Sequence, residues 1–220
     1  GSDVPQAIQT TVVPSRLFRE RHIPLAWVHR YLAFTSRPTP SRANRSRPAP
    51  FIGRPAVVPR MQVKSRHHLR ADEIDDLEAT IAAGTGVDLD GDTYEMVALG
   101  DEPFDVVLVD GDPDVVRFED GEAFLTVQGA NRHAVTTGVV TVDAGAISFV
   151  SDGADVMRPG IVDADPDVVA GDLVTIAEET HGKTLAVGRA LVDGSEMVGD
   201  SGKVVTSLHH VGDELFEFDV

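Results

Sequence analysis

The spacing of apolar residues divides most of this chain into short elements. In ADEIDDLEATIAAG, residues 71–84, Ile74, Leu77 and Ile81 recur at helical spacing. Asp72 and Asp75 fall in the first turn, where carboxylates suit the helix dipole, and Gly84 is expected to end the helix. The preceding MQVKSRHHL reads as a short strand, and from residue 93 the pattern becomes strand-like. YEMVAL, FDVVLVDGDPDVVRF and EAFLTV are apolar runs separated by Asp-Gly or Glu-Asp-Gly turns. Residues 61–136 are therefore expected to form a small α/β domain with one main helix and an antiparallel meander. Farther on, VVTV reads as a strand and AGAISFVSDG as a short helix ended by Gly153. DLVTIA, KTLAVGRALV, KVVTSLHH and ELFEFDV are further strand candidates, with turns at AGD, HGK, DGS, GDSG and VGD. So many short strands around one small helix suggest a compact barrel over residues 137–220, since closure removes exposed edges. Gly188, in mid-strand, is a candidate bulge or close-approach point. The expected class is α+β, with an N-terminal α/β meander followed by a C-terminal β-barrel.

Charge separates the first sixty residues from the rest. Residues 1–60 hold ten Arg, no Lys and two acids, a net +8. Residues 61–220 hold nine bases and 34 acids, a net −25. In SRPTPSRANRSRPAPFIGRPAVVPR a Pro or Arg falls every few residues, which forbids a strand ladder or a core. Arginine clusters bind phosphate, so a basic RNA-binding arm is one reading. A translated upstream region is the favoured one, because Arg without Lys beside Pro, Ala and Ser is what a GC-rich non-coding frame would give. Residues 1–60 are expected to be disordered on either reading; on the second they are a non-native extension, Gly1–Ser2 is a cloning remnant and Met61 is the true start.

The acidic part has only three lysines, Lys64, Lys183 and Lys203. Such a charge repels itself in dilute buffer, but near 1 M salt the Debye length falls to about 3 Å and the repulsion largely disappears. A halophile's cytoplasm is the expected setting. RNA binding stays open despite the acidity, since in molar salt affinity must come from shape, stacking and short hydrogen bonds. The few bases then become informative by position: Lys64, Arg66, Arg70, Arg132, Arg158, Arg189 and Lys203. The chain has no cysteine, which excludes disulfides and thiolate metal sites. No apolar run approaches the ~20 residues that span a bilayer, and no secretory signal layout opens the chain, so a cytoplasmic protein is expected.

Three stretches carry a resemblance: VTVDAGAISFVSDGADVMRPGIVDADPDVVAGDLV, LAVGRALVDGSEMV and GKVVTSLHHVGDELF. Together they cover essentially all of residues 139–218 and resemble a PUA domain, the RNA-binding barrel named for pseudouridine synthase and archaeosine transglycosylase. RHHLRADEIDDL and LVDGDPDVVRFEDGEAFLT resemble the N-terminal domain of an archaeal two-domain family. That family is related to the malignant T-cell amplified sequence proteins and to ligatin, which act in translation re-initiation and ribosome recycling. The chain departs from the family at Phe124-Leu125-Thr126, where Phe-Pro-Thr is common, and at Phe216, where tryptophan is common.

The resemblance implies RNA contacts at Gly153, Ala154, Asp155, Val156, Met157, Arg158, Pro159 and Gly160, with Lys203 as a further phosphate contact. The residue chemistry agrees. Small Gly153 and Ala154 allow backbone N–H groups to approach a phosphate or base edge. Pro159-Gly160 suits a tight turn, Arg158 can fork onto a phosphate or stack on a base, and Met157 offers an apolar face. A structural turn with a solvated arginine is the alternative. Lys64, Arg66, His67, His68 and Arg70 form the remaining basic cluster, read equally as a ribosomal RNA contact or as an ordinary surface patch.

Neighbouring histidines at 67–68 and 209–210 diverge in strands, so no shared metal site is expected, and His209 reads as a hydrogen-bonded barrel residue. GxSxG, P-loop, GxGxxG and HExxH motifs are absent. The expected function is a non-catalytic, cofactor-free, monomeric RNA-binding protein of the translation apparatus. Its expected partners are a tRNA acceptor end with its CCA terminus, ribosomal RNA and the small ribosomal subunit. An RNA-binding accessory subunit of a pseudouridylation or archaeosine enzyme is the alternative.

Overall fold

The structure, a computed structural model, describes residues 61–100 and 102–219; the expectation for 1–60 lies outside the described residues. The first lobe is a five-stranded antiparallel meander in sequence order. Its strands are β1 (Val63–His68), β2 (Tyr94–Leu99), β3 (Phe104–Val109), β4 (Asp112–Phe118) and β5 (Ala123–Leu125). Helix α1 (Ala71–Thr85) packs Leu77 and Ile81 against Tyr94, Met96, Val107, Val115 and Leu125 on one face of the sheet. A second row, Val97–Val106–Val116–Phe124, runs through opposed positions of β2 to β5 and is also buried. Both faces of the central strands are thus removed from water, which is why they read as continuous apolar runs rather than as clean alternation. Tyr94 anchors this core to the helix: its hydroxyl donates to Glu78 Oε1 at 2.6 Å, and burial, with that bond, pushes its pKa up to about 12.

Three local expectations are corrected. Gly84 lies inside α1, and the helix ends instead at Gly86, whose φ of 68° makes the left-handed cap. Its first turn carries Asp72 and Glu73 rather than Asp75, and the Glu73 carboxylate accepts from the Arg70 amide at 3.0 Å. EAFLTV is strand only as far as Leu125. Thr126 accepts from the Gly129 amide at 2.9 Å and so caps a second helix, α2 (Val127–Arg132), which the apolar pattern did not disclose.

The second lobe is a six-stranded, barrel-like sheet in the order β7–β11–β10–β9–β6–β8. The strands are β6 (Val139–Val142), β7 (Val156–Met157), β8 (Ile161–Ala164), β9 (Leu173–Glu178), β10 (Thr184–Ala190) and β11 (Lys203–His210), with helix α3 (Ile147–Ser151) between β6 and β7. Val140, Val142, Val150, Ile161, Val174, Ile176, Ala190, Met197 and Val205 fill its core. The register slips between Val187 and Gly188, as a bulge requires, and a Cβ at Gly188 would stand 2.6 Å from the Thr206 carbonyl oxygen. Residues 214–219 of ELFEFDV form no strand. Asp213 accepts from the amides of His210 (2.8 Å) and Phe216 (2.7 Å), and this side-chain capture turns the backbone before it can extend.

Named hydrogen bonds tie the lobes together. Asn131 on α2 donates to Thr184 O at 2.9 Å and accepts from Thr184 N at 3.0 Å. Gln128 donates to Phe216 O. Arg189, one of the scarce bases, joins Glu122 (2.7 Å) of the first lobe to Gly171 O (2.9 Å) of the second.

Candidate nucleic-acid interface

Residues 153–160 form a strap between α3 and β8. It leaves α3 through Gly153, whose φ of 82° favours glycine, with the Gly153 amide donating to Val150 O and the Ala154 amide to Phe149 O. Val156 and Met157 then pair with β11, opposite Val205 and Lys203. Val156 is buried in the barrel core, and Met157 is 48% exposed. Arg158, Pro159 and Gly160 make one 3-10 turn, with proline at its start where a missing N–H costs nothing. Gly160 closes it against α3's entry: its carbonyl accepts from Asp143 N, and a Cβ there would stand 2.9 Å from Ala146 Cβ.

The pairing with β11 brings Lys203 to the strap. Asp155 accepts from Lys203 Nζ at 3.0 Å with one oxygen and from the Ser207 amide at 3.0 Å with the other. Both partners of this ion pair are substantially solvated, so its own contribution is about 0–1 kcal/mol and its Coulomb part is screened by salt.

Arg158 also makes internal contacts. Its Nε donates to Glu196 O at 2.8 Å and its Nη1 to Ser201 O at 3.0 Å. The guanidinium lies over a turn of small residues: a Cβ at Gly202 would stand 2.9 Å from Nη1, and one at Gly199 would stand 3.0 Å from Cδ. Arg158 thus staples the 196–202 turn to the strap while half-exposed, and its Nη2 makes no hydrogen bond among the described residues.

One neighbour of the strap escaped the sequence reading. His210, at the end of β11, lies so close to Gly153 that a Cβ there would stand 2.5 Å from Nε2. Its Nδ1 donates to Val211 O at 3.0 Å, which leaves Nε2 turned to the strap's start. Alternation along β11 was the signal: with His209 buried, His210 has to face the other way. His209 itself is 1% exposed and donates to Asp213 at 2.8 Å.

The second basic cluster occupies another sheet. Lys64, Arg66, His67 and His68 lie on β1, an edge strand exposed along its whole length, and Arg70 precedes α1. Arg66 donates to Glu95 through Nε at 3.1 Å; that bond raises the arginine pKa and lowers that of the carboxyl. Arg70 pairs with Glu73 at 3.2 Å. Among the described residues, no group of three or more His, Asp or Glu is arranged to hold a metal ion. No helix among them is long and apolar enough to cross a membrane.

Against known proteins, residues 138–212 match the PUA domain, and that span contains the whole strap and β11. An uncharacterized protein of Methanocaldococcus jannaschii is 40% identical over 123 residues, which are 56% of this chain and 75% of that protein. This chain belongs to the PUA-domain family. The translation machinery-associated protein 20 of Saccharomyces cerevisiae is 35% identical over 88 residues, 37% of this chain and about half (49%) of that protein. A hypothetical protein of Pyrococcus horikoshii superposes with a TM-score of 0.62 at 28% identity, over 70% of this chain and 98% of that one. A conserved PUA domain protein of Thermoplasma acidophilum gives 0.61 at 28% identity over the same shares. These similarities extend beyond the PUA domain into the meander lobe.

Proposed function

We propose that this chain is a non-catalytic RNA-binding protein of the translation apparatus. Its PUA domain, residues 137–220, binds a structured RNA end, the acceptor stem of tRNA with its CCA terminus. The meander domain, residues 61–136, contacts the small ribosomal subunit through the β1 cluster. The protein works as a monomer in the concentrated salt of a haloarchaeal cytoplasm, within the group that includes the malignant T-cell amplified sequence proteins and ligatin. Similarity to translation machinery-associated protein 20 supports the setting. The observation that carries the reading is the pairing of Met157 with Lys203 across β7 and β11, with Arg158, the next residue, bonded to the turn that leads into β11. Met157 presents apolar surface, and the two cations suit a phosphate backbone.

Titration of the full chain with intact tRNA, tRNA lacking its CCA end and an unrelated hairpin tests this in about 2 M KCl, where non-specific phosphate binding is suppressed. Intact tRNA is expected to bind most tightly. Arg158→Ala should weaken that binding by about tenfold, through the loss of its free guanidinium edge and of the stapled 196–202 turn. Equal, weak binding of all three RNAs, unchanged in Arg158→Ala, would sink the assignment.

A further inference from the structure

β1 is an edge strand exposed at every residue, and among the described residues no strand pairs with its outer side. On its inner side the ladder with β2 slips between Val63 and Ser65 and then runs regularly from Ser65 to His68. Leu69 N donates to Tyr94 O at 2.9 Å, which fixes the phase of that ladder. Backbone groups alternate in direction along an antiparallel strand, so Arg66 and His68 turn their N–H and C=O groups away from β2. This outer row holds donors and acceptors in equal number. A phosphate backbone satisfies the donors alone and sets its charge against the carbonyls, whereas an added strand satisfies both.

The side chains select which strand fits. β1 holds Lys64, Arg66, His67 and His68 and no acid. The carboxylates that touch this cluster lie on other elements: Glu95 on β2 meets Arg66 and His68, and Asp72 and Glu73 in the first turn of α1 meet Arg70. A strand arriving on the outer side therefore lies against cations, and the like charges of a second β1 would oppose one another. The 34 acids of residues 61–220 repel an acidic partner in dilute buffer, but about 1 M salt removes that long-range repulsion and leaves direct contacts. We infer that β1 docks an extended acidic segment of a partner protein, which extends the meander by one strand and sets its carboxylates opposite Lys64 and Arg66. This rests on the reading that β1 is the docking element of the meander domain, and it names protein rather than RNA as what β1 meets.

The test maps amide shifts of the full chain in about 1 M KCl with a short capped peptide of alternating Thr and Glu. A second peptide has Lys in place of Glu, and a third, N-methylated throughout, keeps the charge and loses the donors. The acidic peptide should move the Arg66 and His68 amides downfield and slow their hydrogen exchange, and the other two should do neither. Reading residue by residue separates this from charge pairing with the ten arginines of residues 1–60. His68→Pro removes one outward N–H and leaves the ladder with β2 in place, so it should weaken the peptide about fivefold. Lys64→Glu should weaken it about as much through opposed like charge, roughly fivefold. Thermal unfolding verifies that both variants fold. A β1 edge that no peptide perturbs, that the N-methylated peptide perturbs equally, or that only a single-stranded RNA oligomer perturbs would overturn the inference. Co-sedimentation with small ribosomal subunits reads the ribosomal assignment separately. A chain that co-sediments but takes no peptide would overturn the added strand alone, and peptide binding without co-sedimentation would support the strand and overturn the ribosomal partner.

Discussion

Asp213→Ala is expected to lower stability by about 2–4 kcal/mol, a loss set by what the carboxylate leaves behind. Three donors converge on it: His209 Nδ1 and the amides of His210 and Phe216. The His209 side chain is 2% exposed and cannot turn to water once its acceptor is gone. The turn that Asp213 holds also seats Leu215 and Phe218, both buried, so their packing loosens with it. For a chain of this size the change corresponds to about 5–12 °C in thermal midpoint.

The pH dependence has a definite sign. Burial alone pushes the Asp213 carboxyl up, but the bond and charge of His209, with the two amides, outweigh it and the net shift is downward. A depressed folded-state pKa means that this stabilisation is present above the unfolded value of about 3.9 and is lost as pH falls through the folded value. The gap between wild type and Asp213→Asn in thermal unfolding should therefore be constant near neutrality and narrow below about pH 4. A gap unchanged at low pH would show that the carboxylate's charge is not what holds the turn.

Gly129→Ala is the second large effect, and it opposes helix propensity. Alanine in place of glycine ordinarily favours a helix by about 1 kcal/mol. Here the new Cβ would stand 2.2 Å from the Asp114 carbonyl oxygen and 3.0 Å from its Cα, so backbone rather than a flexible side chain must yield. Overpacking of this kind costs about 1–3 kcal/mol. Displacing α2 also strains the Asn131–Thr184 pair and the Gln128 bond to Phe216, and it disturbs Asp114, buried between Arg132 and His133. His133 is held below its usual pKa by burial first and by Arg132 second. The expected net loss is about 2 kcal/mol or more, with faster hydrogen exchange at the Thr184 amide, which Asn131 Oδ1 protects. A more stable variant would mean that α2 has room to move and does not couple the lobes.

Much of the fold was legible because its strands are short, apolar and separated by glycine turns. The meander, the barrel strands β6, β9, β10 and β11, and the Gly188 bulge follow from local pattern, whereas β7 and β8 lie in the stretch read as a turn. Three more features did not, two of them because a side chain overrode backbone preference. Thr126 started a helix where β-branched Thr and Val suggested strand, Asp213 turned ELFEFDV, and Gly86 rather than Gly84 took the left-handed cap. At the interface, the strap and Lys203 were named from sequence, but their mutual wiring depends on the β7–β11 register. Arg158's bonds to Glu196 and Ser201 are likewise long-range contacts that no local pattern carries. Arg189 and Arg132, grouped by charge with the RNA-facing bases, instead meet Glu122 and Asp114.

The measurement that bears most directly on the central claim is amide chemical-shift mapping of the full chain with intact tRNA in about 2 M KCl. RNA binding through the PUA strap predicts the largest changes at Gly153, Ala154, Met157, Gly160, Lys203 and His210, with β3 and β4 silent. Changes confined to β1 and α1, or spread evenly over both lobes, would contradict it.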